Sequence, residues 1–391
     1  MPFTASDQSN NEQLQFRQFL EKHLVPHLSG WYGKREIPRS FFRAMGSEDW
    51  FNFTVKEGRM SIRSAFRESM IMEEIAKISP GVAVAVLVQG DLGLMGLYLF
   101  GSAALKERYA APALKGEVLI CLGNTERNAG SDVAGVSMAA EKVDGGWLLN
   151  GTKAYVTNGS IGDLGVITAV SDPDADRNRR LSMFLVDLNG DGVRRRKLNK
   201  QVWIPSDLTR IQLTDVFVPD DHLMGVRGQG LMQVLKIFTH SRIPISALTL
   251  GTAEGAFSLA LAHANSRRIF GKTIFEFQSK TFEAADFFTQ IEAARLMIEK
   301  ACASLDRGDD FRLDASMAKY LSVKAAKDVT GWAADLFGAA SVMYEHPIHK
   351  FPLDAWGSSL GEGTQDVQKL VIFRELMKRT RMNPSLDNEN R

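Results

Sequence analysis

Apolar residues at helical spacing dominate the first part of the chain, from residue 1 to about residue 118. A first helix is indicated by four apolar residues that recur every three or four positions, Phe16, Phe19, Leu20 and Leu24. Another is indicated over Ala103 to Leu114, where charged and apolar residues alternate as on an amphipathic helix. We therefore expect an N-terminal α-helical domain.

Between residues 119 and 229 the apolar pattern changes to the shorter period of β-strands. Segments 166–170 and 183–186 are examples, and turn residues separate such runs. The polar segment 172–180 is expected to form a solvated loop. The basic run 194–197 indicates a solvated strand edge, with contact to phosphate groups as the alternative. Many short strands joined by turns predict an antiparallel barrel or sandwich.

From about residue 230 the helical period returns and persists almost to the end. A long helix is expected to bury one face, formed by Ala284, Phe288, Ile291 and Ile298. A last helix is expected over 367–377, with a loop over 350–359 and a disordered polar tail from Asn383. Long helices with short connections predict an antiparallel bundle.

The longest apolar run, Gly81 to Phe100, contains Gln89, Gly90 and Asp91 in its middle. A membrane span would place Asp91 near the bilayer centre, at a cost of roughly a few kcal/mol. We therefore expect a buried helix pair here and no membrane span.

Composition excludes several classes of protein. The chain has 391 residues, 45% of them hydrophobic, which is ordinary for a globular protein with a substantial core. The formal net charge of +1 offers no global field to attract nucleic acid. Cys121 and Cys302 lie far apart and form no disulfide framework or metal-ligand spacing, so we expect a reducing compartment, a cytoplasmic location and no metal site.

Candidate chemistry concentrates in the stretch Cys121 to Gly159. Asn124-Thr125-Glu126 opens it, Gly130-Ser131-Asp132 follows, and Gly151 to Thr157 closes it. Glycines allow backbone amides to approach a ligand, hydroxyl groups can bond the edge of a flat polar ring, and an aromatic residue can cover its face. A plain β-hairpin with glycine turns is the alternative.

These segments resemble the signature of the acyl-CoA dehydrogenase family, T-E-P-x-x-G-S-D followed by G-x-K-x-W-I-T, with Arg127 in place of Pro and Tyr155 in place of Trp. The resemblance implies an N-terminal α-helical domain (1–118), a central antiparallel β-barrel (119–229) and a C-terminal four-helix bundle (230–391). It also implies an FAD site whose ring contacts come from Leu122, Asn124, Thr125, Gly130, Ser131, Tyr155 and Thr157. Ser131 could touch the substrate as well.

A second signature, Gly361-Glu362-Gly363-Thr364, resembles the E-G-T of the family, in which the Glu is the catalytic base. Removing a proton α to a thioester needs a carboxylate in a dry pocket that raises its pKa. In the family, the backbone N–H of the base also bonds the thioester oxygen, and the resemblance places Gly363 on the substrate and Thr364 on the cofactor. Alone, Glu362 could simply be a helix first-turn acid.

Some family members carry the base before an Arg of the first C-terminal helix. That Arg corresponds to Arg242, which is preceded by Ser241, so Glu362 is the candidate. Arg242 could orient the substrate or support the fold.

A third signature, Arg267 to Gly271 followed by Gln278, resembles the R-x-x-F-G segment of the family. The resemblance implies that Arg267, Phe270 and Gln278 reach the flavin diphosphate and adenosine of a neighbouring subunit, although a basic helix terminus is the alternative.

The glycine-rich loop of the family is only partly present in this sequence. Gly338 remains, while Asp335, Ala339 and Ser341 replace Gln and two glycines, and Leu353 replaces the Arg of an R-D pair. These replacements bear on FAD affinity and on the dimer contact that the resemblance implies.

The resemblance implies FAD-dependent α,β-dehydrogenation of an acyl-CoA to the enoyl-CoA, with electron-transferring flavoprotein as acceptor and a homodimer or homotetramer as assembly. An acyl-ACP dehydrogenase, an acyl-CoA oxidase and a non-catalytic member are the alternatives. Gly90, Gly93 and Gly96 either pack helices together or leave room for a bulky acyl group.

Overall fold

A computed structural model describes residues 7–381, with side chains described for residues 11–379. The chain forms a helical part, a middle β domain and a second helical part, as expected. The exact boundaries at residues 118 and 229 stay predictions, and the tail from Asn383 lies outside the described residues.

The N-terminal part consists of helices with one short hairpin. The helices are α1 (Asp7–His23), α2 (Leu28–Lys34), α3 (Arg39–Ser47), α4 (Ala65–Ile78), α5 (Pro80–Leu87), α6 (Met95–Phe100) and α7 (Ala103–Leu114). The hairpin of β1 (Phe53–Lys56) and β2 (Arg59–Ile62) was not expected. Its turn residues Glu57 and Gly58 both have positive φ (51° and 74°), which suits a two-residue hairpin turn.

The apolar run that the sequence analysis assigned to a helix pair is one continuous helical stretch. A π-helical segment, Val88–Leu94, joins α5 to α6. Ser79 caps the start by accepting from the Val82 N–H, and Pro80 occupies the first turn. The expectation of two helices was wrong because Gln89, Gly90 and Asp91 widen the helix and do not break it.

The glycines of this stretch support close packing. A Cβ on Gly93 would lie 2.4 Å from the Ile120 carbonyl oxygen, and one on Gly96 would lie 3.3 Å from Val166. Gln89 strengthens the same contact, since its amide oxygen accepts from the Ile120 N–H at 2.7 Å.

The middle β domain is one eight-stranded sheet. Its strands are β3 (Ile120–Gly123), β4 (Ala139–Val143), β5 (Gly146–Val156), β6 (Leu164–Val170), β7 (Leu181–Asp187), β8 (Val193–Lys197), β9 (Thr209–Pro219) and β10 (Leu223–Met224). The order is β10-β7-β6-β4-β5-β9-β8, and β3 pairs in parallel with β6. The basic run 194–197 lies on β8 at the end of this order and is exposed, as the strand-edge interpretation required.

Four long helices and a short one, α11, form most of the C-terminal part: α8 (Gly230–Ser266), α9 (Gln278–Asp306), α10 (Arg312–Phe337), α11 (Phe351–Gly357) and α12 (Gln365–Arg381). A small hairpin, β11 (Arg268–Ile269) and β12 (Lys272–Thr273), follows α8. α8 packs mainly on α10 and α4. Two expectations were wrong: Phe288 is half exposed, and α11 occupies the segment expected to be a loop.

Two helical stretches, Pro80–Phe100 and Gly230–Ser266, are long and apolar enough to cross a membrane. However, 89% and 72% of their most apolar windows are buried inside the protein. Burial on all sides by other parts of the chain is typical of core helices.

Candidate active site

The Thr125–Glu126 signature is held in place by a buried ion pair. Lys153, fully buried on β5, donates to Glu126 Oε1 at 2.7 Å and to the Asn124 carbonyl at 3.1 Å. Glu126 also accepts from the N–H and hydroxyl of Ser137 and from the Met138 N–H. The Glu and Lys of the signature therefore fix the shape of the loop between β3 and β4, because Lys153 of β5 holds it.

The pair stays ionised at neutral pH. Burial lowers the pKa of Lys153 to about 8, although the charge of Glu126 opposes this. Burial raises the pKa of Glu126, but Lys153 and the hydrogen bonds more than offset it, so the pKa of Glu126 lies below its usual value.

The edge of β3 offers backbone groups to a ligand. Among the described strands β3 pairs only with β6, so its other edge keeps unpaired ladder groups near Leu122. The Asn124 side chain is buried, and its amide oxygen accepts from the Thr168 hydroxyl at 2.8 Å, so this oxygen is engaged inside the protein. The Thr125 carbonyl accepts from the Ala154 N–H at 2.8 Å, which brings Thr125 beside the end of β5.

Tyr155 and Thr157 lie where β5 ends. The pairing of β5 with β9 shifts register between Lys153 and Val156, and Tyr155 has φ 59° and is 60% exposed. A non-glycine residue in the left-handed region costs about 1–3 kcal/mol and is enriched at functional sites. β5 ends at Val156, so Thr157 is in the following turn and not on the strand.

These features fit a flat polar ring such as the flavin. An irregular strand end turns an aromatic side chain outward beside a hydroxyl residue, and the unpaired edge of β3 supplies backbone donors and acceptors. Gly130 and Ser131 lie on an exposed turn after the bridge between Glu126 and Ala129, and a Cβ on Gly130 would meet nothing within 4 Å.

Glu362 lies on a short loop before α12 in the left-handed region, with φ 49°. The fully buried Lys319 of α10 donates to the carbonyl oxygens of Gly361 and Gly363 on either side. Gln368 of α12 donates to the Glu362 and Gly363 carbonyls at 3.1 and 3.0 Å. Two buried donors thus hold the backbone that carries the carboxylate.

The electrostatics of this loop suit a general base. Burial raises the pKa of Glu362, and the charges of Lys319 and Arg242 restrain the increase. Burial lowers the pKa of Lys319 to about 8. Arg242 is buried on α8, and among the described residues its Nε has no hydrogen-bond partner. Ser241 is fully buried and bonds back to the Phe238 carbonyl, so it offers no base.

The Glu362 loop also contacts the β domain. A Cβ on Gly361 would lie 3.7 Å from the Trp203 ring, and Trp203 is in the segment between β8 and β9. Asp354 Oδ1 accepts from the Trp203 N–H. The candidate base therefore lies at the junction between the second helical part and the β domain.

Thr364 precedes α12, and its carbonyl accepts from the Gln368 N–H and its hydroxyl from the Val367 N–H at 3.4 Å, so it caps this helix. Its contact with the cofactor stays a prediction. All three residues are exposed: Arg267 directly after α8, Phe270 in the turn of the β11–β12 hairpin, where it is 96% exposed, and Gln278 at the start of α9. These three residues are far from the Glu126 loop along the chain. Their contact with the cofactor of a partner subunit stays a prediction.

The segment 335–341, which replaces the glycine loop of the family, spans the end of α10 and the turn after it. Gly338 has φ 58° and follows the last helical residue, and the Ser341 hydroxyl donates to its carbonyl at 2.8 Å. Asp335 is exposed, while Leu353 is partly exposed beside the buried Asp354. Asp354 is thus hydrogen-bonded within this chain, to the Trp203 N–H, and burial raises its pKa to about 7.

Sequence reasoning missed Lys319 and Gln368. A signal for Lys319 existed: it falls at helical spacing with Ala315 and Val323, both fully buried, so a lysine occupies a core position of α10. A buried lysine needs a partner, and the Glu362 loop supplies it.

Models of the three acyl-CoA dehydrogenase domains match this chain in order: the N-terminal domain over residues 7–117, the middle domain over 121–216 and the C-terminal domain over 228–377. Benzylmalonyl-CoA dehydrogenase of Aromatoleum aromaticum is 30% identical, covering 96% of this chain and 100% of its own length.

Solved structures agree with this. Butyryl-CoA dehydrogenase from Megasphaera elsdenii is 29% identical with a TM-score of 0.90, covering 96% of this chain and 100% of its own. The FAD complex of PigA is 26% identical with a TM-score of 0.91, covering 97% and 100%. The chain belongs to the acyl-CoA dehydrogenase family: it is an oxidoreductase that acts on CH–CH groups, with FAD as its cofactor.

Proposed function

We propose that this protein dehydrogenates an acyl-CoA thioester at its α and β carbons, with Glu362 as the base. The observation that carries the proposal is the Glu362 carboxylate itself. It stands on a left-handed backbone that Lys319 and Gln368 anchor, and burial raises its pKa. A partly desolvated carboxylate is a stronger base than one in water and suits abstraction of a weakly acidic proton.

When bound, FAD supplies an acceptor for the hydrogen and two electrons that leave the β carbon. The residues proposed to hold its ring are Leu122, Asn124, Thr125, Gly130, Ser131, Tyr155 and Thr157. Those proposed to hold its diphosphate and adenosine, in a neighbouring subunit, are Arg267, Phe270, Gln278, Gly338 and Thr364.

The protein's own part is to position the thioester and remove its α proton. Glu362 Oε takes the proton as the C–H bond breaks, while Arg242 and Lys319 stabilise the carboxylate in its ionised form before reaction. Gly363, with φ 91°, lets the backbone approach the substrate, and the Glu362 N–H is proposed to bond the thioester oxygen.

The test is anaerobic bleaching of the flavin by butyryl-, octanoyl-, isovaleryl- and glutaryl-CoA. The wild-type holoenzyme is expected to bleach with at least one of these. Glu362→Gln should keep the yellow colour and the flavin content, and bleach at least a hundredfold more slowly. Wild-type-rate bleaching by this variant would remove Glu362 as the base.

Two alternatives concern the acyl carrier and the electron acceptor: acyl-ACP in place of acyl-CoA, and oxygen in place of electron-transferring flavoprotein. We propose CoA and electron-transferring flavoprotein, on the resemblance and family membership. Turnover with electron-transferring flavoprotein, without stoichiometric hydrogen peroxide in air, supports this choice. Peroxide at the turnover rate identifies an oxidase.

We also propose a homodimer or homotetramer in the cytoplasm. Apolar side chains are exposed on the C-terminal helices, among them Phe282, Phe288, Leu296 and Phe373, and both cysteines are free and buried. Sedimentation equilibrium of the holoenzyme measures the assembly, and a monomer at micromolar concentration would contradict it.

A further inference from the structure

One loop of the β domain contacts the part of the chain that carries the proposed base. This loop, residues 200–207, lies between β8 and β9 and contains Trp203. A Cβ on Gly357, the last residue of α11, would lie 3.2 Å from the Trp203 ring, and one on Gly361 would lie 3.7 Å from it. The indole ring therefore packs against two glycines, the second of which directly precedes Glu362.

The backbone of Trp203 is fixed by hydrogen bonds on both sides. Its N–H donates to the Asp354 carboxyl group of α11, and its carbonyl accepts from Lys200 Nζ at 2.9 Å and from the Ser206 hydroxyl at 2.7 Å. Asp354 and Ser206 are buried, so water does not compete for these bonds. Trp203 has φ 56°, a left-handed conformation that a bulky residue keeps only where its surroundings enforce it.

The end of the same loop is bonded to the turn that carries Thr157. Asp207 is buried and accepts from the Ser160 N–H in this turn at 2.8 Å. Asn158, also in the turn, donates its amide N–H to the Ala85 carbonyl of α5 at 2.8 Å. The turn with the proposed flavin contact is thus tied both to the 200–207 loop and to a core helix.

α5 and α2 hold the loop from the remaining sides. A Cβ on Gly81, in the first turn of α5, would lie 2.7 Å from the Trp203 carbonyl carbon, so only a glycine lets α5 come this close to the loop. Arg35, which follows α2, donates to the Lys200 carbonyl. These contacts leave the loop little freedom to move relative to the β domain and to α11.

We propose that Trp203 is a positioning residue: its ring, held by the 200–207 loop, sets the distance between the Glu362 loop and the turn that carries Thr157. The proposal rests on the proposed function. The α proton and the β hydrogen leave the same acyl chain, so the base and the flavin must keep a fixed separation. A misplacement of about 1 Å can cost about 10²-fold in rate.

The ring acts through its shape. In the described part of the chain Trp203 Nε1 has no hydrogen-bond partner. Trp203→Phe therefore removes no hydrogen bond there and keeps an aromatic ring beside Gly357 and Gly361. Trp203→Leu removes the ring and leaves both glycines without their contact.

The test is the rate at which a saturating thioester bleaches the flavin of the holoenzyme in one anaerobic turnover, per bound flavin. The thioester is whichever of butyryl-, octanoyl-, isovaleryl- and glutaryl-CoA bleaches the wild type fastest. Trp203→Leu should lower this rate by about 10–100-fold and change the half-saturating concentration by less than about threefold, because a misplaced base slows the chemistry and leaves binding in place. Trp203→Phe should restore the rate to within about fivefold of the wild type.

Trp147, another tryptophan of the β domain, provides the matched control. It is buried, its Nε1 also has no hydrogen-bond partner among the described residues, and its ring packs against Phe184. Trp147→Leu should lower Tm at least as much as Trp203→Leu, because it empties a more deeply buried site, yet leave the bleaching rate within about twofold of the wild type.

A second variant, Gly357→Ala, displaces the ring and keeps it in place of removal. The added methyl group would lie 3.2 Å from the Trp203 ring, which must then shift by a few tenths of an ångström. The bleaching rate should fall by about threefold or more. Gly331→Ala is its control, since a Cβ at this position of α10 would meet nothing within 4 Å, and its rate should equal that of the wild type.

Two results overturn the inference and leave the proposed function intact. One is bleaching by Trp203→Leu within about twofold of the wild-type rate. The other is an equal loss of rate in Trp203→Leu and Trp147→Leu, which would show general damage. Should Trp203→Leu not fold, equal rates for Gly357→Ala and Gly331→Ala overturn the inference as well. No bleaching of the wild type by any of the four thioesters would refute the proposed function, and the inference with it.

Discussion

Two buried groups of charges lie on α4, and they differ in how they are paired. Glu73, Glu74 and Lys77 form ion pairs with one another, with Glu254 of α8 and with Arg295 of α9. Glu68, on the same helix, shares a hydrogen bond with the buried Asp91 carboxyl group, and the charge of Arg67 acts on it without a direct ion pair among the described residues. One group joins three helices, whereas the other keeps unpaired oxygens within the described part of the chain.

The pKa values express this difference. Burial raises the pKa of Glu74, but Arg17 and Lys77 outweigh it and bring the pKa to about 2. Burial also raises the pKa of Glu68, and there it prevails, so the pKa reaches about 7. Glu74 and Glu68 are 4% and 7% exposed, so similar burial has opposite outcomes, and the available partners decide which carboxyl group is ionised.

Glu362→Gln should produce the largest effect on activity. Replacing the carboxylate by an amide removes the proton acceptor, and we expect kcat to fall by about 10²–10⁴-fold. Far-UV circular dichroism and flavin content should match the wild type. Full activity with a normal spectrum would mean that Glu362 is not the catalytic base.

Lys77→Met should do the reverse: it should lower stability and leave activity almost unchanged. Breaking a buried ion pair leaves its carboxylates uncompensated, at a cost of roughly 3–5 kcal/mol in the free energy of unfolding. Urea denaturation measures this, and kcat of the folded variant should stay within about twofold of the wild type. The matched control is Lys324→Met, since Lys324 pairs with Asp328 on the exposed surface and its loss should cost under about 1 kcal/mol.

Lys319→Met should lower both activity and stability, each by less than the variants above. It leaves the carbonyls of Gly361 and Gly363 without their buried donor, at about 1–3 kcal/mol of stability. It also removes a charge that lowers the pKa of Glu362, so that pKa should rise and the acidic limb of kcat/KM should move to higher pH. A lower kcat/KM with an unmoved acidic limb would show a purely structural role for Lys319.

Glu68→Gln should have the smallest effect, and a stabilising one. The pKa of Glu68 is raised in the folded protein, so its stability contribution is present below the unfolded pKa and is lost as pH rises through about 7. The charged groups around it are Asp91 and Arg67, and His240, whose pKa burial lowers to about 4, is neutral over most of this range. The stability of the variant relative to the wild type should therefore increase by about 1–3 kcal/mol from pH 4 to pH 8. The difference in Tm between variant and wild type, measured at both pH values, checks this. A constant difference in Tm across that range would show that Glu68 does not titrate there.

Local pattern predicted much of the fold. Ala103–Leu114 is a helix with the bounds expected, and Ser102 caps it by accepting from the Leu105 N–H. Strand segments 166–170 and 183–186 were also located, because alternation and turns are local properties. Misses occurred where tertiary contacts override the pattern: the π-helical segment, α11, and the face of α9 that leaves Phe288 exposed.

The sequence by itself determined the helical–β–helical order, through the local period of its apolar residues. Its short motifs indicated the family, and the resemblance of Gly361 to Thr364 implied Glu362 as the candidate base. Only the tertiary structure decided that Lys319 supports the Glu362 loop, that Glu68 meets Asp91, and that Glu74 is paired while Glu68 is not. Desolvation and charge interactions depend on distances between residues remote in the chain, and those distances exist only once the helices have packed.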